Sequence, residues 1–176
     1  MDGIEKTVRK NYVYQGKILN LRKDDALLPD GRPCVREIVE HSGGACVLYV
    51  KDGKVLLVKQ FRYAYGESIY ELPAGKLEKG EDPKITALRE LEEETGVKAT
   101  DAAHLFTVYP TPGYTNEKIY IYEVTNGERG HTRLDDGEFL DAVFLPLDEV
   151  KAMLQLGEIK DAKTLIALQA YFLKHE

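Results

Sequence analysis

The amino-acid sequence predicts a mixed α/β (α+β) fold, a sandwich of helices and a mixed sheet rather than a regular βαβ array. Short β-branched and apolar segments separated by turn signals occupy the first part of the chain. A capped helical segment follows, and then further strands and helices. The 176 residues suffice for one domain with a small appendage. We expect residues 1–42 to form an N-terminal β subdomain and residues 43–176 to form the main domain.

Two hairpins are expected in the first third of the chain. In the first, residues 17–28 and 34–41 flank the turn signal Pro-Asp-Gly-Arg at 29–32. In the second, residues 45–50 and 54–62 are joined by Lys-Asp-Gly at 51–53. A further short strand is expected just before Pro73, at residues 68–72.

The clearest predicted helix covers residues 83–95. Asp82 suits its N-cap, Pro83 the first helical position and Gly96 its C-terminal cap. The rest of the chain is predicted as strands at 104–109, 117–125 and 142–147, a loop at 110–116, and helices at 147–156 and 161–175.

Composition limits the classes of partner. The formal net charge of -6 weighs against non-specific binding to nucleic acid, which depends on basic patches. No apolar run is long enough to span a bilayer, and the N-terminus lacks the apolar core of a secretory signal. We therefore expect a cytoplasmic protein with no nucleic-acid or membrane partner. Cys34 and Cys46 form no metal-ligand pattern and are expected to be ordinary thiols.

The predicted helix at 83–95 carries clustered charge. On a wheel of about 100° per residue, Ile85, Leu88 and Leu91 share an apolar face, and Glu92 falls at the surface. The opposite stripe holds Glu90, Glu93 and Glu94. Taken alone, such a run indicates a solvated acidic face. Alternatively, clustered carboxylates bind hard divalent cations, and the absence of His and Cys from the segment favours Mg²⁺ or Mn²⁺ over Zn²⁺.

The spacing around this helix resembles the Nudix box. Gly75, Glu81 and the run Arg-Glu-Leu-Glu-Glu-Glu-Thr-Gly-Val at 89–97 match that pattern without departure. The resemblance implies an α/β/α sandwich and a hydrolase that cleaves a diphosphate linkage with Mg²⁺, for which Mn²⁺ can substitute. It also implies that Arg89 and Glu81 orient the metal ligands. Those ligands would be the carbonyl of Ala74 and the side chains of Glu90, Glu93 and Glu94, with Glu81, Arg89 and Glu93 also in the catalytic set.

Segments outside the box resemble the ADP-ribose pyrophosphatase subfamily. One is the Thr-Pro-Gly-Tyr stretch at 111–114, in which Pro112 lies sixteen residues after Gly96, where that subfamily carries a proline. Others are Val-Lys-Gln-Phe-Arg at 58–62 and Glu-Leu-Pro-Ala-Gly at 71–75. The resemblance implies substrate contacts from Arg36, Arg62, Glu71 and Pro112.

The acidic stretch at residues 134–139 would supply the general base. By resemblance it forms a loop that closes over the site, with Glu138 the best match for the base and Asp136 the next. The residue that stacks on the adenine is left open between Tyr12, Tyr14 and other tyrosines. The subfamily also implies a homodimer, in which Arg36 would enter the active site of the partner subunit.

The predicted reaction is hydrolysis of ADP-ribose to AMP and ribose 5-phosphate. One alternative keeps the fold and changes the substrate to a nucleotide sugar, a dinucleoside polyphosphate or a nucleoside triphosphate. Another is a module that senses ADP-ribose without catalysis. A Nudix-fold isomerase of isoprenoid diphosphates is disfavoured, because neither Cys34 nor Cys46 lies in a matching context.

Overall fold

The computed structural model describes residues 2–134, 136–137 and 139–175, and within them the chain divides into two compact units. The first unit comprises the residues up to Gly43 together with Tyr109–Lys118. The second comprises Gly44–Val108 and the residues from Ile119 onward. The predicted division at residue 42 stays a prediction, and the observed first unit also takes in the loop that was expected at residues 110–116.

The first unit is an antiparallel sheet organised around one long strand. Strand β3 pairs with each of the others, and its hairpin with β4 runs from Leu27 opposite Pro33 to Leu19 opposite His41. That pairing confirms the first predicted hairpin and its turn. The strands are β1 (Lys6–Arg9), β2 (Tyr12–Gln15), β3 (Leu19–Leu27) and β4 (Pro33–His41).

The second unit is built on a mixed sheet. Its centre is β5, which runs parallel to β11 and antiparallel to β6 and β8. The contact with β6 is the second predicted hairpin, turning at Asp52 and Gly53. The strands are β5 (Gly44–Lys51), β6 (Lys54–Arg62), β7 (Glu67–Glu71), β8 (Ala74–Lys76), β10 (Ala103–Val108), β11 (Ile119–Val124) and β13 (Leu140–Pro146), with β9 (Val97–Lys98) paired to β12 (Glu128–Arg129) beside them.

Helices cover both faces of this sheet: α1 (Pro83–Thr95), α2 (Leu147–Leu156) and α3 (Ala162–His175). Alternation along β5 explains the layers, because successive side chains of a strand point to opposite faces. Ala45, Val47 and Tyr49 pack in the cluster that contains the buried residues of α1. Cys46 and Leu48 pack in the cluster that contains those of α2 and α3. The predicted α/β/α sandwich with a mixed sheet is confirmed.

Helix α1 begins and ends where the sequence predicts, but its buried face differs from the prediction. Ile85, expected on the apolar face, is 59% exposed, whereas Glu94, expected on the opposite stripe, is 2% exposed. Thr86, Ala87 and Leu91 are buried with Glu94. The wheel assumed that only apolar side chains face the sheet, and a carboxylate can do so when a donor there satisfies it.

Strand β8 was not predicted, because its three residues follow Pro73 and carry no alternating pattern. Within the described residues, no helix is both long enough and apolar enough to cross a membrane.

Candidate active site

The site is assembled where β8 and helix α1 meet. Strand β8 pairs with the start of β5, with Ala45 opposite Gly75 and Cys46 opposite Ala74. Helix α1 starts after Asp82, whose side chain accepts a hydrogen bond from the backbone N–H of Lys84 at 2.8 Å. It ends at Gly96 in the left-handed conformation, with φ of 71°, which glycine adopts without strain. These caps fix where the helix begins and ends.

Glu94 joins the helix to the strand. Its Oε2 accepts a hydrogen bond from the backbone N–H of Ala74 at 2.9 Å. Burying a carboxylate is costly unless donors satisfy it, so this contact accounts for an acidic residue on the sheet side of α1. It also places the carboxylate of Glu94 beside the Ala74 peptide.

Arg89 gathers the neighbouring carboxylates. One guanidinium nitrogen, Nη1, lies 2.8 Å from Glu90 and 2.9 Å from Glu93. The other side of the guanidinium reaches Glu81, with Nε at 3.2 Å and Nη2 at 3.3 Å. Glu81 is held further by the hydroxyl of Thr86 at 2.7 Å and by the backbone N–H of Glu78 at 3.1 Å. We call Glu81, Arg89, Glu90, Glu93 and Glu94 the glutamate cluster.

Charge in this cluster shifts two pKa values. Burial opposes ionisation of Glu81, but hydrogen bonds from Arg89 and Thr86 outweigh it and hold the pKa of that carboxyl below its ordinary value. Burial likewise opposes the charged form of Arg89, but its hydrogen bond to Glu81 and the charge of Glu90 raise the pKa of the guanidinium. Arg89 is therefore a permanent cation among carboxylates.

The cluster fits a hard divalent cation in its chemistry. The atoms that would bind the metal are carboxylate oxygens. Four glutamates and one arginine leave three excess negative charges. Gly75 makes room for one of them, because a Cβ at that position would overlap the carboxylate of Glu90. Among the described residues, no three acidic, histidine or cysteine side chains already surround a single point. Arg89 instead occupies the space between Glu90 and Glu93.

A second set of charged side chains lies on strands β6 and β7 and at the start of α3. Glu71 is 2% exposed, and its oxygens accept hydrogen bonds from Arg62 at 2.8 Å and from Lys163 at 2.5 Å. Lys163 is also buried and lies 3.0 Å from Asp161. We call Arg62, Glu71, Asp161 and Lys163 the Lys163 network.

The charges of this network stabilise one another. Burial raises the pKa of Glu71, but the hydrogen bond from Arg62 and the charge of Lys163 outweigh it, so that pKa lies below its ordinary value. Burial lowers the pKa of Lys163, but Asp161 and Glu71 outweigh it and raise that pKa. The hydrogen bond to Glu71 raises the pKa of Arg62, and the charge of Glu94 adds to the effect. Through Arg62, this network is electrostatically linked to the glutamate cluster.

The remaining predicted residues lie in the first unit or in the acidic stretch at 134–139. Arg36, on β4, is exposed and forms an ion pair with Glu5, its Nε lying 2.8 Å from that carboxylate. Pro112 is exposed in a turn in which the N–H of Thr115 reaches the carbonyl of Thr111 at 3.3 Å. Tyr12 and Tyr14 are exposed on β2. The predicted base, Glu138, lies outside the described residues, and Asp136 lies in an exposed turn.

Sequence reasoning assigned no role to Lys163, Asp161 or Thr164. Lys163 and Glu71 are 92 positions apart in the chain. A buried lysine at the start of a helix carries no local signal, since lysine there is most often solvated. What could have drawn attention is the Asp-Ala-Lys-Thr stretch at 161–164, where three polar side chains come together at the start of a predicted helix.

Comparison with known proteins identifies relatives of the whole chain. Residues 40–168 match the model of the NUDIX domain, and residues 5–39 match that of the nucleoside diphosphate sugar hydrolase N-terminal domain. The chain is 41% identical to the ADP-ribose pyrophosphatase of Bacillus subtilis, over 97% of its own length and 94% of that protein. It is 41% identical to the methanol dehydrogenase activator of Bacillus methanolicus, over 94% and 91%. It is 34% identical to the ADP-ribose pyrophosphatase of Mycobacterium tuberculosis, over 87% and 76%.

Proposed function

Because the chain belongs to the NUDIX domain family, whose model matches residues 40–168, we propose that it hydrolyses the diphosphate of ADP-ribose to AMP and ribose 5-phosphate. The observation that carries the proposal is the glutamate cluster, an acidic set of oxygen donors held against β8 by the contact between Glu94 and Ala74. Relatives named ADP-ribose pyrophosphatase at 41% and 34% identity support this substrate. The match of residues 5–39 supports the wider class of nucleoside diphosphate sugars.

Mg²⁺ is the proposed cofactor, with Mn²⁺ as a substitute. The carbonyl of Ala74 and the carboxylates of Glu90, Glu93 and Glu94 would hold it. When bound, it supplies positive charge that offsets the charge of the diphosphate oxygens, which would otherwise repel a nucleophile.

The chain's own residues would perform the remaining tasks. Arg89 orients Glu90 and Glu93 through its hydrogen bonds to both, and Glu81 in turn orients Arg89. Arg62, with about 40% of its side chain exposed, can present a guanidinium edge to a substrate phosphate. Glu138, with Asp136 as second candidate, would accept the proton of the attacking water. Arg36 and Pro112 would contribute to substrate recognition.

We also propose a homodimer formed through the first unit. Its outer strands and turns expose apolar side chains that a monomer would leave in water: Ile4, Val8, Val13, Tyr14 and Ile18 are each more than half exposed. Sedimentation at micromolar concentration tests this, and a monomer there would refute it. The cytoplasmic location stays a prediction.

Product analysis on a panel of substrates tests the proposed reaction. The purified chain with Mg²⁺ is given ADP-ribose, a GDP-sugar, a dinucleoside polyphosphate and a nucleoside triphosphate, and products are followed by ³¹P NMR. We expect AMP and ribose 5-phosphate from ADP-ribose, with the highest kcat/KM of the panel. The Glu94→Gln variant, purified in parallel, controls for contaminating hydrolases. If another compound gave a higher kcat/KM, it would replace ADP-ribose as the proposed substrate. Tight binding of ADP-ribose without hydrolysis would favour a sensing module.

A second candidate function is activation of a methanol dehydrogenase, since the relative with that name is as similar as the Bacillus subtilis enzyme. Adding the chain and Mg²⁺ to a methanol dehydrogenase and measuring its turnover tests this role. The Glu94→Gln variant shows whether activation requires the glutamate cluster. An unchanged dehydrogenase rate would remove this candidate.

A further inference from the structure

Each residue from Leu72 to Ala74, where β7 leads into β8, makes a backbone hydrogen bond to another part of the second unit. The backbone N–H of Leu72 donates to the hydroxyl of Thr164 at 2.8 Å. The carbonyl of Pro73 accepts from the N–H of Val47 at 3.0 Å. The N–H of Ala74 donates to Glu94 at 2.9 Å. This segment, residues 71–74, therefore connects the start of α3 at one end with the glutamate cluster at the other.

The hydroxyl of Thr164 is fixed in direction. It lies 2.6 Å from Oδ2 of Asp161, and the backbone N–H of Thr164 reaches the same oxygen at 3.0 Å. A carboxylate can only accept, so the hydroxyl donates this hydrogen bond to Asp161. Its lone pairs are then left to accept from Leu72, and the contact has a single direction.

Lys163 binds Glu71, the first residue of the segment 71–74. Its ammonium reaches Glu71 at 2.5 Å and Asp161 at 3.0 Å, so the first turn of α3 grips both Glu71 and Leu72. The oxygens of Glu71 already accept from Arg62 and Lys163, and its side chain is buried. The predicted direct contact of Glu71 with substrate is therefore less consistent with its surroundings than a role in holding Arg62 and this segment.

We propose that Thr164 and Lys163, in the first turn of α3, are positioning residues for the metal site. This inference rests on the proposed function. By fixing residues 71–74, they set where the Ala74 peptide lies, and with it the carboxylate of Glu94 that the peptide binds. A metal site tolerates misplacement of only about 0.5 Å in its ligands, so loss of the Thr164 contact weakens metal binding without touching a ligand.

Metal binding measured without substrate tests this. Thr164→Val keeps the shape of the side chain and removes the hydroxyl, whereas Thr164→Ser keeps the hydroxyl. Free Mn²⁺ is counted by electron paramagnetic resonance during titration of each variant. We expect the Kd for Mn²⁺ to rise about tenfold or more in Thr164→Val, as for other residues that orient ligands. Thr164→Ser should restore binding to within about twofold of the wild type.

A packing variant on the same helix separates positioning from general destabilisation. Leu168 is buried in the core one turn further along α3, and Leu168→Val should lower the Tm while leaving the Kd for Mn²⁺ unchanged. Turnover adds a further readout, since Thr164→Val should need more Mg²⁺ for half-maximal rate but keep its KM for ADP-ribose at saturating Mg²⁺. Should Thr164→Val fail to fold, Asp161→Ala carries the same test, because it removes the acceptor that orients the hydroxyl.

The outcomes separate this inference from the function on which it rests. Wild-type protein that binds no Mn²⁺ would overturn both. Wild-type protein that binds Mn²⁺, with Thr164→Val binding equally tightly, would overturn the positioning role alone. An equal loss of Mn²⁺ binding in Leu168→Val would also overturn it, because the effect would then be one of stability.

Discussion

The glutamate cluster and the Lys163 network are built from the same residue types but balance their charge differently. In the Lys163 network, two cations face two carboxylates, and Glu71 and Lys163 are buried. In the glutamate cluster, one arginine faces four carboxylates, and Arg89 and Glu93 keep about a third of their side chains exposed. The Lys163 network is neutral and only Arg62 in it is well exposed, whereas the glutamate cluster is acidic and is open to solvent at Arg89 and Glu93.

This difference teaches which charges are available for chemistry. A buried, balanced set offers little to an incoming cation, because its oxygens already accept from fixed donors. An acidic set with one internal cation retains an excess of negative charge that a divalent ion can neutralise. We therefore expect the larger losses of stability from substitutions in the first set and the larger losses of turnover from substitutions in the second.

The largest expected effect is that of Glu94→Gln. Loss of this carboxylate removes a proposed ligand, and electrostatic stabilisation by a metal supplies several kcal/mol of the barrier reduction. At about 1.4 kcal/mol per tenfold, kcat should fall about a thousandfold. The amide oxygen of glutamine can still accept from Ala74, so the fold should persist. Steady-state kinetics and circular dichroism measure the two effects.

Glu92→Gln is the matched control for that substitution. Glu92 lies on the same helix and pairs at the surface with Arg133, at 2.7 Å. Surface pairs of this kind contribute about 0–1 kcal/mol, so turnover should stay within about twofold of the wild type. If Glu94→Gln kept most of its kcat, the assignment of Glu94 as a ligand would be wrong.

The next effect belongs to the Lys163 network. Lys163→Met removes one partner of Glu71 and leaves Arg62 in place. Breaking a buried pair costs about 3–5 kcal/mol, and we expect the low end because Arg62 still donates to both oxygens of Glu71. Urea denaturation measures the loss in the free energy of unfolding. Glu93→Gln, the comparison in the glutamate cluster, should lower the free energy of unfolding by less than about 1 kcal/mol. Equal losses in the two variants would remove the distinction between the two sets.

The sequence predicted every member of the glutamate cluster but only Arg62 and Glu71 of the Lys163 network, for a physical reason. The glutamate cluster lies on helix α1 and in the loop before it, so short-range spacing carried the information from Gly75 to Val97. The Lys163 network joins strands β6 and β7 to helix α3, and the pairing of Glu71 with Lys163 depends on how the chain folds back over 92 positions. No local periodicity encodes such a contact.

Within the predicted helix, the caps were easier to predict than the face. Asp82, Pro83 and Gly96 act on the backbone beside them, and the structure confirms each one. The face depends on what lies opposite, and the N–H of Ala74 made a buried Glu94 possible where hydropathy favoured Ile85. The helical wheel misplaced Glu94 because a polar partner there replaces apolar packing.

Gly75→Ala should have an intermediate effect, confined to metal binding by the glutamate cluster. The added methyl would overlap the carboxylate of Glu90 and push it from its place beside β8. Because the ligand is displaced rather than lost, we expect metal affinity to fall about tenfold, which a Mg²⁺ titration of the reaction rate measures. Gly3→Ala is the control, since a methyl there meets no atom within 4 Å. Unchanged metal dependence in Gly75→Ala would show that Glu90 needs no such space.

The smallest expected effect is the pH dependence of stability. The folded-state pKa values of Glu71 and Glu81 lie below their ordinary value of 4.5, so each contributes stability that is present above about pH 4.5 and lost as the pH falls through the folded pKa. The pKa of Lys163 is raised, so its contribution is present below pH 10.5 and lost at higher pH.

Urea denaturation between pH 3 and pH 7 compares how much stability Glu71 and Glu81 each contribute as the pH falls. Glu71 accepts from two cations and Glu81 from one. The free energy of unfolding should therefore depend less on pH in Glu71→Gln than in Glu81→Gln over this acid range. A steeper pH dependence in Glu71→Gln than in the wild type would reverse the sign of the argument. It would mean that burial, rather than pairing with Arg62 and Lys163, dominates the ionisation of Glu71.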